Sequence, residues 1–243
     1  MAGRRRADQL LVERGLAASR ARAQAAIEAG LVTADGVRVA KASQPLSVEA
    51  ELSASPAYTY VSRGGLKLAA ALDRFAVEAA GKVCLDVGAS TGGFSEVLIT
   101  RGAKRVYAVD VGHGQLHPSL SGRPGLVSLE GTDARALDRT LVPEPVELAV
   151  FDVSFISLKR VLPAALALCA PAASLVALIK PQFEAGRAHL KKGIVRDEKV
   201  QKAVCEDIER FIAAAGWRVI GLVESPIAGG EGNREFLIGA RRG

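Results

Sequence analysis

The sequence predicts an α/β protein whose larger part is a doubly wound, Rossmann-like sheet. Seven apolar runs follow one another at regular intervals after residue 80, and helical patterns lie between several of them. The runs are continuously apolar, as expected for strands buried on both faces of a sheet. A glycine-rich stretch joins the last two runs and predicts a hairpin, so the final strand should run antiparallel. The predicted strands span 83–87, 105–111, 126–131, 147–153, 174–179, 218–223 and 235–240.

A small α+β module is predicted before the sheet. Residues 7–15 and 20–30 have helical patterns that each close on a glycine, and Ser19 is placed to cap the second helix. Next, Asp35-Gly36 lies between two short β runs and predicts a hairpin over 31–39.

A change in composition marks the boundary between the two parts. Residues 45–65 are rich in Ser, Pro and Ala, and an amphipathic helix is predicted over 66–78. We therefore assign residues 1–57 to the small module, 58–63 to a linker and 64–243 to the sheet domain.

Charge and composition narrow the class of protein. The chain has 243 residues and a formal net charge of +6, and its first 24 residues contain six arginines. Such a cluster favours a polyanionic partner. The three cysteines are too few and too dispersed for a disulfide framework or a zinc site, and we expect no metal. No apolar stretch of secretory type follows the N-terminal arginines, which favours a cytoplasmic location.

One uncharged stretch approaches the length of a membrane span. Residues 161–179 contain no charge, but they include Pro163 and Pro171 and are rich in alanine. A helix of about ten residues, a turn and a buried strand over 174–179 explain the pattern better. We therefore expect no stable membrane association.

The stretch DVGASTGGFS, residues 86–95, follows the first predicted strand and has the glycines of a ligand-binding turn. In doubly wound sheets, ligands bind at the carboxyl ends of the strands, and Asp110 ends the second strand in position to bind ribose hydroxyls. NAD and S-adenosylmethionine are the two candidates. The order of glycines departs from the dinucleotide fingerprint, and Asp86 would repel a pyrophosphate. A carboxylate suits a sulfonium and an amino group, so the turn favours S-adenosylmethionine.

Four charged residues lie where strands end or turns begin beside the predicted pocket. They are Lys67, Asp152, Lys180 and Glu235. Each alone is consistent with a solvated end of an element. Together, two lysines and two carboxylates at one rim indicate acid–base or electrostatic chemistry.

Several of these motifs together resemble a known family. The module's order of elements and its run SRARAQAAIEAGLV resemble an S4-type RNA-binding domain, and Lys-Asp-Lys-Glu resembles the tetrad of ribose 2′-O-methyltransferases. With SRGGLKL, DVGASTGGFS, VYAVDVGHGQL, FDVSFISL, IKPQFE and KKGIVRD, the chain resembles the TlyA family over nearly its whole length. It departs from that pattern at 58–61, where an arginine and a tryptophan are expected, and at Asp133, where asparagine is commoner.

The resemblance implies a ribosomal RNA 2′-O-methyltransferase with a seven-stranded methyltransferase sheet, S-adenosylmethionine as cofactor and ribosomal subunits as partners. It implies Lys180 as the central catalytic group, as base or electrostatic stabiliser, with Asp152 and Lys67 orienting it and Glu235 organising the rim. The candidate cofactor residues are Asp86, Gly88, Ser90, Thr91, Gly92, Gly93, Phe94, Asp110, Val111, Asp133 and Asp152. The candidate RNA contacts are Arg4, Arg5, Arg6, Arg20, Arg22, Arg63, Lys191 and Lys192.

Two other functions are compatible with the same residues. An RNA-binding protein could carry an inactive methyltransferase domain, although the intact tetrad argues against it. Some family members bear the label hemolysin, which suggests a cytolytic, membrane-acting protein. A measurement of cofactor binding separates these alternatives.

Overall fold

The computed structural model describes residues 3–229 and 232–243. The chain divides into two compact units, one up to Thr59 and one from Tyr60 to Gly243. Within the described residues, no helix is both long and apolar enough to cross a membrane.

The first unit packs two helices against short strands. A buried cluster that includes Leu10, Leu11, Ile27 and Val32 forms its core. Ser19 caps the second helix as predicted, because its side chain accepts a hydrogen bond from the amide of Arg22. The elements are β1 (Arg4–Arg6), α1 (Ala7–Glu13), α2 (Arg20–Glu28), β2 (Val32–Ala34), β3 (Val37–Arg38), β4 (Pro45–Ser47) and β5 (Leu52–Ala54).

The strands of this unit form two small antiparallel sheets. Strand β2 lies between β3 and β5, and Asp35 and Gly36 both have positive φ in the predicted hairpin turn. Strand β1 pairs with β4, so Arg4, Arg5 and Arg6 form a strand. Their clustered charge does not predict this strand. This unit has the α+β composition expected of the N-terminal module.

The second unit contains the predicted seven-stranded sheet, in the order β11-β12-β10-β9-β6-β7-β8. Strand β12 is antiparallel to both of its neighbours, and the other pairings described in this sheet are parallel. The fold class predicted from the apolar runs is therefore confirmed. The strands are β6 (Val83–Val87), β7 (Arg105–Asp110), β8 (Leu126–Glu130), β9 (Val146–Phe151), β10 (Cys169–Ile179), β11 (Arg218–Glu224) and β12 (Phe236–Arg242).

Helices cover both faces of the sheet. One apolar cluster joins the strands to α3 and α4, and another joins them to α5 and α7. The helices are α3 (Gly64–Arg74), α4 (Gly93–Thr100), α5 (Leu158–Ala167), α6 (Pro181–Glu184) and α7 (Glu198–Ala214). Helix α3 begins and ends earlier than predicted.

The uncharged stretch 161–179 forms part of α5 and all of β10. The strand begins at Cys169, five residues before the predicted 174, so no separate turn precedes it. Its register against β9 shifts between Cys169 and Ser174. Pro171 lies within this irregular part, and proline has no amide hydrogen to donate to a regular ladder.

Candidate active site

The glycine turn connects β6 to α4 at the carboxyl edge of the sheet. Gly88 has φ of +87°, and a Cβ added to it would lie 2.6 Å from the carbonyl oxygen of Asp152. A side chain at this position would therefore have to move the backbone that follows β9. Ser90 also has positive φ, at 47°, which is uncommon outside glycine.

Asp110 joins this turn to the end of β7. Its Oδ2 accepts a hydrogen bond from the Ser90 amide at 2.8 Å, and its Oδ1 accepts one from the Gly112 amide at 2.7 Å. The carboxylate therefore organises the backbone on both sides of the strand end. Each carboxylate oxygen has a further lone pair that remains available to a ligand hydroxyl.

A cavity of about 560 Å³ opens beside the turn, within the size range of small-molecule sites. Six predicted cofactor residues line it: Gly88, Ser90, Asp110, Val111, Asp133 and Asp152. Five others are not among its lining residues: Asp86, Thr91, Gly92, Gly93 and Phe94. The structure thus places only part of the predicted set at the cavity wall.

Asp86 lies behind the cavity wall. It has no exposed surface, and its Oδ2 accepts a hydrogen bond from the Ser95 hydroxyl at 2.6 Å. Burial raises the pKa of Asp86 to about 7, and the negative charges of Asp152 and Asp110 act in the same direction. Asp86 is therefore not exposed at the cavity wall in this structure, and its contact with the cofactor stays a prediction.

Asp133 lies on the cavity wall in a tight ion pair. The Nε of Arg135 donates to Asp133 Oδ1 at 2.9 Å and to Oδ2 at 3.0 Å. These hydrogen bonds lower the pKa of Asp133 to about 2, so the group is an anionic acceptor at neutral pH. Arg135 also lines the cavity.

The four tetrad residues form two lysine–carboxylate pairs. Lys180 Nζ lies 2.7 Å from Asp152 Oδ1 and donates a hydrogen bond to Ser154 Oγ at 2.8 Å. Lys67 Nζ pairs with Glu235 Oε2, and both of these side chains are nearly inaccessible. Lys67 thus has its own carboxylate partner in Glu235, and the role of orienting Lys180 that the resemblance implies for it stays a prediction.

Sheet register places the two pairs at one edge. Strand β10 ends at Ile179, which pairs with Phe236 at the start of the antiparallel β12. Lys180 follows Ile179 and Glu235 precedes Phe236, so the two residues lie at neighbouring positions of the sheet edge. A Cβ added to Gly64, at the start of α3, would lie 3.5 Å from Asp152 Oδ2. The helix that carries Lys67 thus begins beside the other pair.

Sequence reasoning missed several residues of this region, among them Ser154, Gln115 and Phe155. Ser154 contacts Lys180, and Gln115 lines the cavity and accepts a hydrogen bond from Ser90 Oγ. Phe155 is 90% exposed at the cavity wall and has φ of +64°, an unusual combination that concentrates at functional sites. The fragment DVSF was part of a recognised motif, but periodicity gave no reason to expect an exposed aromatic ring.

The predicted RNA contacts of the first unit differ in what they bind within it. Arg4 and Arg5 are exposed on β1, and Arg5 lies 3.7 Å from Glu13 Oε1. Arg6 and Arg20 are also largely exposed, but both bind the fully buried carboxylate of Asp8. Arg22 donates to the carbonyl oxygen of Tyr58 and lies over its ring.

In the second unit, Arg63, Lys191 and Lys192 are exposed. Within residues 3–229 and 232–243, no group of three or more His, Cys, Asp or Glu side chains is placed to hold a metal ion.

Comparison with known proteins places this geometry in a family. Residues 60–242 match the model of the FtsJ-like methyltransferases, and residues 5–52 match that of the S4 domain. The 16S/23S rRNA (cytidine-2′-O)-methyltransferase TlyA of Mycobacterium tuberculosis is 43% identical, over 99% of this chain and 91% of that protein. Hemolysin A of Brachyspira hyodysenteriae is 36% identical over 96% of this chain and 98% of its own.

A solved structure agrees over the whole chain. A protein from Streptococcus thermophilus, provisionally called a hemolysin, superposes with a TM-score of 0.78 at 39% identity and covers all of this chain and 90% of its own. The chain therefore belongs to the TlyA family of FtsJ-like methyltransferases that carry an N-terminal S4 domain.

Proposed function

We propose that this protein transfers a methyl group from S-adenosylmethionine to a ribose 2′-hydroxyl of ribosomal RNA. The observation that carries the proposal is the Lys180–Asp152 ion pair at the wall of a cavity beside the glycine turn. The similarity to a ribosomal RNA (cytidine-2′-O)-methyltransferase supports both the reaction and the substrate, and makes cytidine the first nucleotide to test. Ribosomal subunits in the cytosol would be the physiological target.

The residues of the cavity fit the cofactor. Asp110, Asp133 and Asp152 place carboxylates around a space that would receive a ligand with a sulfonium and an amino group. The missing side chain at Gly88 lets a ligand approach the backbone. Asp110 would accept hydrogen bonds from ribose hydroxyls and Asp133 from an exocyclic amine. The cofactor would supply an activated methyl group.

The chain's own residues would then serve the attacking hydroxyl. An ammonium group has three N–H donors; Lys180 donates one to Ser154 Oγ, and its ion pair with Asp152 engages at most one more. The third can bind the ribose oxygen as it becomes nucleophilic. As a general base, the nitrogen of Lys180 would take the hydroxyl proton; as an electrostatic stabiliser, it would bind the developing alkoxide while the proton passes to solvent.

The second ion pair has a supporting role in this proposal. Lys67 and Glu235 are nearly buried at the same edge, where they would fix the start of α3 and the position of β12 beside the reacting groups. Alignment of two reactants in one site can supply up to about 7–11 kcal/mol in the best model systems. A rigid edge is what makes such alignment possible.

The S4 domain would supply affinity for RNA. Arg4, Arg5, Arg6 and Arg20 all have exposed side chains in this unit, although Arg6 and Arg20 also bind Asp8. Arginine binds phosphate through a planar fork of donors, and such contacts make affinity dependent on salt. Arg63, Lys191 and Lys192 are the corresponding candidates in the catalytic domain.

A methyl-transfer assay tests the proposal directly. Radiolabelled S-adenosylmethionine is incubated with ribosomal subunits from a strain that lacks the modification, and the labelled nucleotide is mapped. We expect Lys180→Ala to abolish transfer while calorimetry shows cofactor affinity retained. Lys202→Ala, an exposed lysine on α7, is the matched control and should behave as wild type. Near-normal methylation by Lys180→Ala would refute the assigned site.

A further inference from the structure

Glu184, the last residue of α6, is bound to the end of the loop that follows Asp152. Its Oε2 accepts a hydrogen bond from the Ser157 hydroxyl at 2.5 Å, and its Oε1 accepts one from the Leu158 amide at 2.7 Å. Leu158 is the first residue of α5, so its amide has no acceptor within the helix. Glu184 thus ties the segment after Lys180 to the loop after Asp152.

Three further contacts join the same segments, which we define as residues 180–184 and the 152–157 loop. Lys180 contacts Asp152 and Ser154 at the beginning of the loop. In the middle, the ring centroids of Phe183 and Phe155 are 5.0 Å apart. Contacts at the beginning, middle and end of the loop therefore come from one short segment.

The loop needs such support because of its conformation. Phe155 has φ of +64°, which is unfavourable for a residue with a side chain, and its ring is 90% exposed, so little packing holds it in place. A strained residue persists only where the surrounding structure determines its conformation. Glu184 provides the two hydrogen bonds that fix the loop at its end.

We propose that Glu184 is a positioning residue, which holds the 152–157 loop in the arrangement that pairs Asp152 with Lys180 and forms the cavity wall. This inference rests on the proposed function, because it assigns Glu184 an effect on methyl transfer through that pair. Glu184 itself would not contact substrate or cofactor.

The location of Glu184 supports a role beyond filling space. The side chain is mostly buried, and burial raises the pKa of this carboxyl group, although the hydrogen bonds from Ser157 and Leu158 act in the opposite direction. Burying a carboxylate is costly compared with an apolar side chain of similar size. Here the cost is offset by two donors that would otherwise lose their acceptor.

Comparison of Glu184→Ala with Glu184→Gln in the full-length protein tests the inference. Alanine removes both acceptors. Glutamine keeps the shape, its carbonyl can accept from the Leu158 amide, and its amide can donate to Ser157 Oγ. We expect Glu184→Ala to lower kcat on ribosomal subunits by on the order of 10- to 100-fold, as small misplacements of reacting groups do. Glu184→Gln should stay within several-fold of wild type, and Glu209→Ala, an exposed glutamate of α7, should be unchanged.

Hydrogen exchange gives a readout that needs no activity. Amides of residues 152–158 should exchange faster in Glu184→Ala than in wild type or Glu184→Gln, while those of the strands β6 and β9 keep their protection. Adding Ser157→Ala to Glu184→Ala should cost less in kcat than Ser157→Ala costs alone, because both changes break the Ser157–Glu184 contact and only the loss of the α5 N-cap is added. If Glu184→Ala does not fold, Ser157→Ala alone should show faster exchange of the loop and a lower kcat.

Unchanged loop exchange together with kcat within two-fold of wild type in Glu184→Ala would overturn the inference. So would a Glu184→Gln variant that is folded but as impaired as alanine. Failure of the proposed function gives a different result: wild type would then transfer no methyl group, or Lys180→Ala would remain active, while the exchange experiment still reports on Glu184.

Discussion

Replacement of Asp86 by asparagine should change how the stability of the methyltransferase domain depends on pH. Asp86 is fully buried at the end of β6, and burial raises its pKa to about 7 from an ordinary value of 3.8. The folded state therefore holds the proton more tightly than the unfolded state does. This group stabilises the fold at low pH, and its contribution is lost as the pH rises through about 7.

The size of the effect follows from the two pKa values. A difference of about 3 units, between about 7 and 3.8, corresponds to about 4 kcal/mol over the whole titration. Over the narrower range from about pH 5 to about pH 8, the linkage relation gives a change of about 3 kcal/mol in the free energy of unfolding. Asparagine has nearly the same shape and can still accept from Ser95, but it does not titrate.

Urea unfolding measured at several pH values checks this prediction. Trp217 is the single tryptophan of the chain and is buried in the methyltransferase domain, so its fluorescence reports on that domain. The free energy of unfolding of wild type, relative to Asp86→Asn, should fall by about 3 kcal/mol from about pH 5 to about pH 8. An exposed control, Glu209→Gln, should run parallel to wild type. A constant difference between wild type and Asp86→Asn across this range would refute the argument that burial perturbs Asp86.

Three other changes probe the cavity and the RNA contacts. Gly88→Ala should weaken S-adenosylmethionine binding at least 10-fold in calorimetry, because the added Cβ would lie 2.6 Å from the Asp152 carbonyl oxygen and displace the cavity wall. Gly186→Ala, which has open space around the added Cβ, is the control. Equal affinities in the two variants would contradict the role of the turn. Asp110→Ala should also weaken cofactor binding while the domain stays folded, and unchanged affinity would remove Asp110 from the site. Replacing Arg4 and Arg5 by glutamine should make RNA affinity less dependent on salt: the slope of log affinity against log salt concentration should shrink by up to about 0.9 for each lost phosphate contact. The control Arg210→Gln on α7 should leave this slope unchanged. An unaltered slope in the Arg4 and Arg5 variant would assign RNA binding to other residues.

The sequence by itself determined the fold class, the glycine turn and the edge at which the charged residues gather. These features depend on local patterns: continuous apolar runs, glycines at a strand end, and polar residues immediately after buried strands. Because parallel strands share one carboxyl edge, Asp110, Asp152 and Lys180 had to meet there once the strands were recognised. Glu235 reaches the same edge because the last strand is antiparallel.

Only the tertiary structure decided which charged groups pair. Lys67 and Glu235 are 168 residues apart in sequence, and nothing in their local patterns distinguishes Glu235 from Asp152 as a partner for Lys67. The same holds for Asp8, whose buried carboxylate binds Arg6 and Arg20, and for Glu184 with Ser157. Burial is likewise a property of the packed chain. The glycine motif predicts that Asp86 binds a ligand, but it does not predict that the side chain is buried. That burial, and the raised pKa that results from it, depends on the neighbouring strands β7 and β9, which exclude water from Asp86.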